Sequence, residues 1–138
     1  MFNVFTEINW LSVSIAFLSY FMLGALWFMF LFSKQYEASL GRENDTRQSQ
    51  SPLYIIGPAV CSFVITLTSA VLIYALNIDT FEDALLFAII IGFGYLFTNT
   101  VMIAINPNIP RPLFYGLISG MYHFVGILIV SGILVAMK

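Results

Sequence analysis

Charge is what this chain has least of. Only 9% of its 138 residues are Asp, Glu, Lys or Arg, against roughly 25% in ordinary globular domains. None of them falls within residues 8–33, 48–78, 84–110 or 112–137. The missing intramembrane Asp, Glu, Lys and Arg argue against a carboxylate proton relay, a carboxylate-bound sodium site and a voltage sensor. Cysteine is equally scarce: Cys61 stands alone, so one chain can build neither a disulfide framework nor a cysteine zinc site. A single histidine, His123, likewise makes no metal site by itself. There is no run of basic residues and the net charge is -2, which removes nucleic acid as a partner and gives no strong pull towards anionic lipid. The first apolar stretch lacks a basic leading region and a small-residue cleavage pattern, so it reads as a retained helix and not as a signal peptide.

What fills the space is apolar: 60% of the residues are hydrophobic and 17% are aromatic. A helix crosses a hydrocarbon core about 30 Å thick with about 20 residues, and each uncharged stretch has that length. The sequence therefore predicts an all-α, polytopic membrane protein. Its single domain, 1–138, has four transmembrane helices at about 8–32, 52–76, 81–105 and 112–137, arranged as an antiparallel bundle. Thr6 is a possible N-cap for the first helix, and Ser51 with Pro52 forms the favoured cap and first-turn pair for the second. Thr80 followed by Asp83 has capping-box spacing for the third. Three prolines in Asn106–Pro112 force a stiff turn before the fourth. The polar connection 33–51 is expected to begin as a short interfacial helix ended by Gly41, with Arg42 to Gln50 as loop. Lys34, Arg42, Arg47 and Arg111 lie on one side and only Lys138 on the other. The positive-inside rule then places both loops in the cytoplasm and both termini outside, in a multi-pass protein of the plasma membrane.

The residues with chemistry gather at two heights. His123 sits about 17 Å beyond Pro112 at a rise of 1.5 Å per residue, near mid-membrane, where Tyr20, Ser62, Thr66, Gly94 and Tyr95 fall as well. Nearer the cytoplasm are Trp27, Asn99 and Ser119. Tyr115, Ser119, Tyr122 and His123 form one polar stripe on the last helix, with Ser119 and His123 one turn apart. The ligand-binding candidates are therefore His123, Tyr122, Ser119, Asn99, Tyr95, Trp27 and Tyr20. Against this stands a plainer role: Asn, Ser and Thr in membrane bundles commonly just hydrogen-bond across helix interfaces, whereas an ionisable group at that depth stays open between structure and function. Gly116 and Gly120 make a GxxxG step continued by Gly126 and Gly132, and Gly92 and Gly94 lie on the third helix. All permit close backbone approach, inside the bundle or between protomers.

The chain resembles the small integral-membrane family of domain of unknown function 1761. The likeness rests on Asn9-Trp10, on GALWF from Gly24 to Phe28, on the SLG that ends the first-loop helix, and on RPL followed by GMYHFVG in the last helix. His123 takes the position of the family's histidine there. The resemblance implies a four-helix membrane fold and names no reaction, substrate or cofactor. Three functional readings remain. The first is a non-enzymatic module acting as a homo-oligomer or as a small accessory subunit of a membrane complex. The second is a carrier or channel for a small neutral or hydrophobic solute bound around His123. The third makes His123 the axial ligand of a haem or chlorophyll-like cofactor, although the sequence requires none. No nucleophile or second acid-base group stands beside His123 to make an enzyme, and no catalytic or metal-ligating residue is assigned. The expected partners are the lipid bilayer, further copies of the chain, or other membrane subunits.

Overall fold

A computed structural model describes residues 3–43 and 51–138. The described residues are helical and contain no strand. Four helices are long and apolar enough to cross a membrane: α1 (Trp10–Leu31), α3 (Leu53–Ala75), α4 (Phe81–Ala104) and α5 (Pro112–Ala136). The short helix α2 (Ser33–Ser39) follows α1 directly. The expected loop at Arg42–Gln50 falls mostly in 44–50, outside the described residues, and Arg47 with it.

Local chemistry explains the boundaries. Asn9, not Thr6, caps α1: its side chain accepts from the amides of Leu11 and Ser12 at 3.1 and 3.3 Å. Asx side chains at this position satisfy donors that a helix start leaves free. Ahead of α3, Pro52 already has helical backbone angles and makes no side-chain cap bond, while the Ser51 hydroxyl accepts from the Leu53 amide at 3.4 Å. At the start of α4, Thr80 accepts from the amide of Asp83 at 3.1 Å while its hydroxyl donates to that carboxylate at 2.8 Å. Gly41, at φ 67°, ends the turn after α2, a backbone shape in which glycine has no steric penalty.

Two segments depart from α geometry. Trp27–Leu31 at the end of α1 and Ala88–Phe97 in the middle of α4 are π-helical, a form that is rare and usually confined to a single turn. Ten consecutive π residues change how side chains distribute around α4, so a height estimated from helical rise no longer tells which way a residue faces.

α5 is the centre of the molecule. Half of its span is buried, against 17–22% for the other three, and it touches α1, α2, α3 and α4. Its contacts with α1 run in opposite numerical order: Asn9 to Met137, Tyr20 to His123, Trp27 to Ile118. The core joins Val13, Ala16 and Tyr20 of α1, Ala70 and Ile73 of α3, Ala88 of α4, and Ile127, Val130 and Leu134 of α5. Lipid is as apolar as these side chains, so close packing and internal hydrogen bonds, rather than escape from water, hold such helices together. The glycines supply the closeness. A Cβ on Gly116 would lie 3.1 Å from the Val101 backbone, one on Gly120 2.6 Å from the Phe97 ring, and one on Gly92 3.1 Å from Phe124.

Both ends are tied. At one, the Asn9 side chain donates to the Met137 carbonyl at 2.7 Å and its amide donates to the Tyr74 hydroxyl at 3.0 Å. Lys138 pairs with Asp79 at 2.6 Å there. At the other, the Arg111 amide donates to the Ser39 carbonyl at 3.3 Å and its guanidinium meets Glu43 at 2.9 Å, which docks α2 onto the start of α5.

Candidate functional site

The polar centre of the bundle is built on α1 and α5. Tyr20 is fully buried, and its hydroxyl lies 2.5 Å from His123 Nδ1. With the phenol donating, the ring proton of His123 resides on Nε2, which leaves one N–H for another acceptor. The Tyr122 ring stacks on Tyr20 with centroids 5.2 Å apart and stands 4.8 Å from His123. Two glycines make the room. A Cβ at Gly126 would overlap the Tyr20 ring, and one at Gly24 would sit 3.0 Å from the Tyr122 hydroxyl oxygen.

From this centre a column of rings leads towards α2. Trp27 donates its indole N–H to the Ile118 carbonyl at 3.0 Å. Phe28 packs 5.2 Å from Tyr122 and 4.9 Å from Tyr36, and Tyr36 packs 5.6 Å from Tyr115. Beside the column, two buried hydroxyls, Ser119 Oγ and Thr66 Oγ1, have no hydrogen-bond partner among the described residues. An unpaired buried hydroxyl is costly, and helical Ser or Thr can usually bond back to a carbonyl one turn earlier. Ser62 does so, to Pro58 at 2.7 Å.

The structure thus brings Tyr20, Trp27, Ser119, Tyr122 and His123 together, and separates three other residues expected at these heights. Tyr95 is 69% exposed, and Gly94 and Asn99 are also on the outer surface of α4, away from the imidazole. Their heights follow from helical rise, which does not fix the direction a side chain faces, and here all three are exposed. Among the described residues, no three His, Cys, Asp or Glu side chains gather. Sequence reasoning missed three contributors. The sequence shows Asn9 as part of a motif, and only the structure shows it as the clamp joining α1, α3 and α5. Gly126 was read as a packing surface and not as the seat of Tyr20. Phe28 closes the GALWF motif but has no polar group, so the motif does not reveal its packing against Tyr122 and Tyr36.

The profile of a family described as Protein of unknown function (DUF1761) matches residues 11–135. The chain belongs to this family. No curated protein and no solved structure matches it. The DUF1761 match runs from the first turn of α1 to the last of α5, so it includes every residue of the Tyr20–His123 centre and the whole aromatic column.

Tyr36, outside the spans, offers a handle on how α2 is held. Burial, then the neighbouring Tyr115, push its phenol up to about 12, with Arg42 pulling weakly the other way. The raised value means that the docked state favours the neutral phenol. Its contribution is complete below the ordinary tyrosine range and is lost as pH rises through about 12. A spectrophotometric phenol titration is expected to show a late step that Tyr36→Phe removes. An unchanged titration curve in that variant would contradict the placement.

Proposed function

We propose that this DUF1761 protein is a non-enzymatic integral membrane module that works in an assembled state, as a homo-oligomer or as a small accessory subunit of a membrane complex. The observation that carries this reading is on the outside of α4, where Tyr95 and Asn99 are exposed at membrane depth with no hydrogen-bond partner among the described residues. Hydrocarbon cannot satisfy such groups, whereas a neighbouring protein surface can. Inside the bundle the polar groups are mostly spent on structure: Trp27 on a carbonyl, Tyr20 on His123, Asn9 on two other helices.

The bundle is antiparallel in this reading, with both loops in the cytoplasm and both termini outside the plasma membrane. The excess of Lys and Arg beside the two loops supports that orientation. Gently extracted protein is expected to have a mass that is a discrete multiple of 15.5 kDa, or to copurify in fixed ratio with a larger membrane protein, and a reporter fused after Lys138 should be silent in the cytoplasm. A lone chain under every mild condition, or a reporter active only in the cytoplasm, would remove the corresponding half of the proposal.

One observation favours a second reading, in which a small neutral solute binds beside His123. The hydroxyls of Ser119 and Thr66, together with the second imidazole nitrogen, supply hydrogen-bonding capacity that the described residues do not use.

A further inference from the structure

The outer face of α4 combines features that lipid does not explain. Helical rise of about 1.5 Å per residue puts Asn99 roughly 8 Å and Tyr95 roughly 14 Å from the Ala104 end of the helix. In a hydrocarbon core about 30 Å thick, Tyr95 is close to mid-depth and Asn99 lies inside the boundary. Neither side chain has a hydrogen-bond partner among the described residues, and an Asn side chain is too short to reach headgroups as Lys or Arg can. The polar pair lies one turn apart, with the exposed apolar side chains Ile90 and Met102 before and after it along α4.

At Gly94 the backbone itself is bare. A Cβ on Gly94 would meet only the Ile89 carbonyl of its own helix, at 3.8 Å. Gly92, two residues earlier, faces Phe124 and Ile127 of α5, so the two glycines serve opposite sides of α4. The inner one lets α5 approach. The outer one leaves a notch that nothing among the described residues fills. The outward face of α3, by contrast, is hydrocarbon at Ile56, Val60 and Val64, and lipid covers it without loss.

We infer that the face of α4 around Gly94, Tyr95 and Asn99 is the contact between two copies of this chain, related by a two-fold axis that passes beside Asn99. This deepens the assembled-module reading and rests on it. The chemistry selects a second copy. A primary amide carries both donors and an acceptor, and two amides facing each other across a two-fold axis satisfy one another by reciprocal bonds. The surrounding face bears no charge that would repel its own image. The Gly94 notch admits the opposing helix closely enough for short amide side chains to meet.

The test uses the full chain with Cys61→Ala, reconstituted in phosphatidylcholine vesicles. Oxidative cross-linking of Met102→Cys, on the same face, is expected to give a covalent dimer, while Val64→Cys on α3 stays monomeric. Asn99→Leu should weaken association by about tenfold, as expected for losing a mutual amide contact in a membrane, and Asn99→Gln should restore most of it. Because Asn99 is exposed in the single chain, Asn99→Leu protein diluted to the monomer should unfold at the wild-type temperature, which separates lost association from lost folding. An oligomer that cross-links through Val64→Cys and not Met102→Cys, or that ignores Asn99→Leu, overturns the α4 interface and leaves assembly standing. A single-chain mass at every protein density overturns both.

Discussion

Gly126→Ala is expected to destabilise the bundle by about 3 kcal/mol, the upper end of what overpacking a core typically costs. The added methyl would overlap the Tyr20 ring, and that ring cannot easily retreat. It is fully buried, stacked on Tyr122 and bonded through its hydroxyl to His123. Alanine is the better helix former by about 1 kcal/mol, too little to offset displacement of a residue with this many partners. Gly132→Ala is the control, because nothing lies within 4 Å of a Cβ there, so only the helix gain should register. Thermal unfolding in a mild detergent should rank Gly132→Ala at or above wild type and Gly126→Ala well below it. Equal stability of the two variants would show that Tyr20 does not lie over Gly126.

The part of this architecture that depends on one-dimensional signals could be read directly. Hydropathy and the positions of charge locate the spans, Thr80 and Asp83 mark the start of α4, and the prolines before α5 mark its entry. What could not be read is azimuth. Helical rise puts Tyr20 and Tyr95 at the height of His123 equally well, yet one is fully buried against the imidazole and the other is 69% exposed. Height leaves the direction of a side chain open, and α4 is π-helical over Ala88–Phe97, where the α period does not apply. The glycines show the same limit. Spacing on the last helix announces close approach, but whether a given glycine receives Val101, a Phe97 ring or Tyr20 depends on the partner helix's rotation, which only tertiary packing decides. Asn9 illustrates a third gap: the sequence points to Thr6 as the cap of α1, and the bonds of Asn9 to Met137 and Tyr74 join residues 128 and 65 positions away.

Tyr20→Phe is expected to cost about 1.5 kcal/mol. Polar contacts between membrane helices average about 0.6 kcal/mol, because the separated helices find other partners, but this one has features that put it near the top of the measured range. The phenol is wholly enclosed and the contact is short, at 2.5 Å. Its loss leaves Nδ1 of His123 facing a phenyl edge with no substitute donor. His123→Leu should cost a similar amount by stranding the Tyr20 hydroxyl, whereas His123→Gln, which still donates and accepts, should retain most of the stability. In the double variant Tyr20→Phe with His123→Leu neither group is stranded, so the total should be no larger than either single change; strict additivity would mean that the two side chains are not coupled. Ser119→Ala then asks whether anything occupies the space beside the imidazole. If the site is dry, removing an unpartnered buried hydroxyl relieves an unsatisfied group and should raise the unfolding temperature. If a small neutral solute or an ordered water uses that hydroxyl together with the free imidazole nitrogen, the same change removes a bond and lowers it. A rise in Ser119→Ala would sink the solute-binding reading and leave the Tyr20–His123 pair as an interhelical tie.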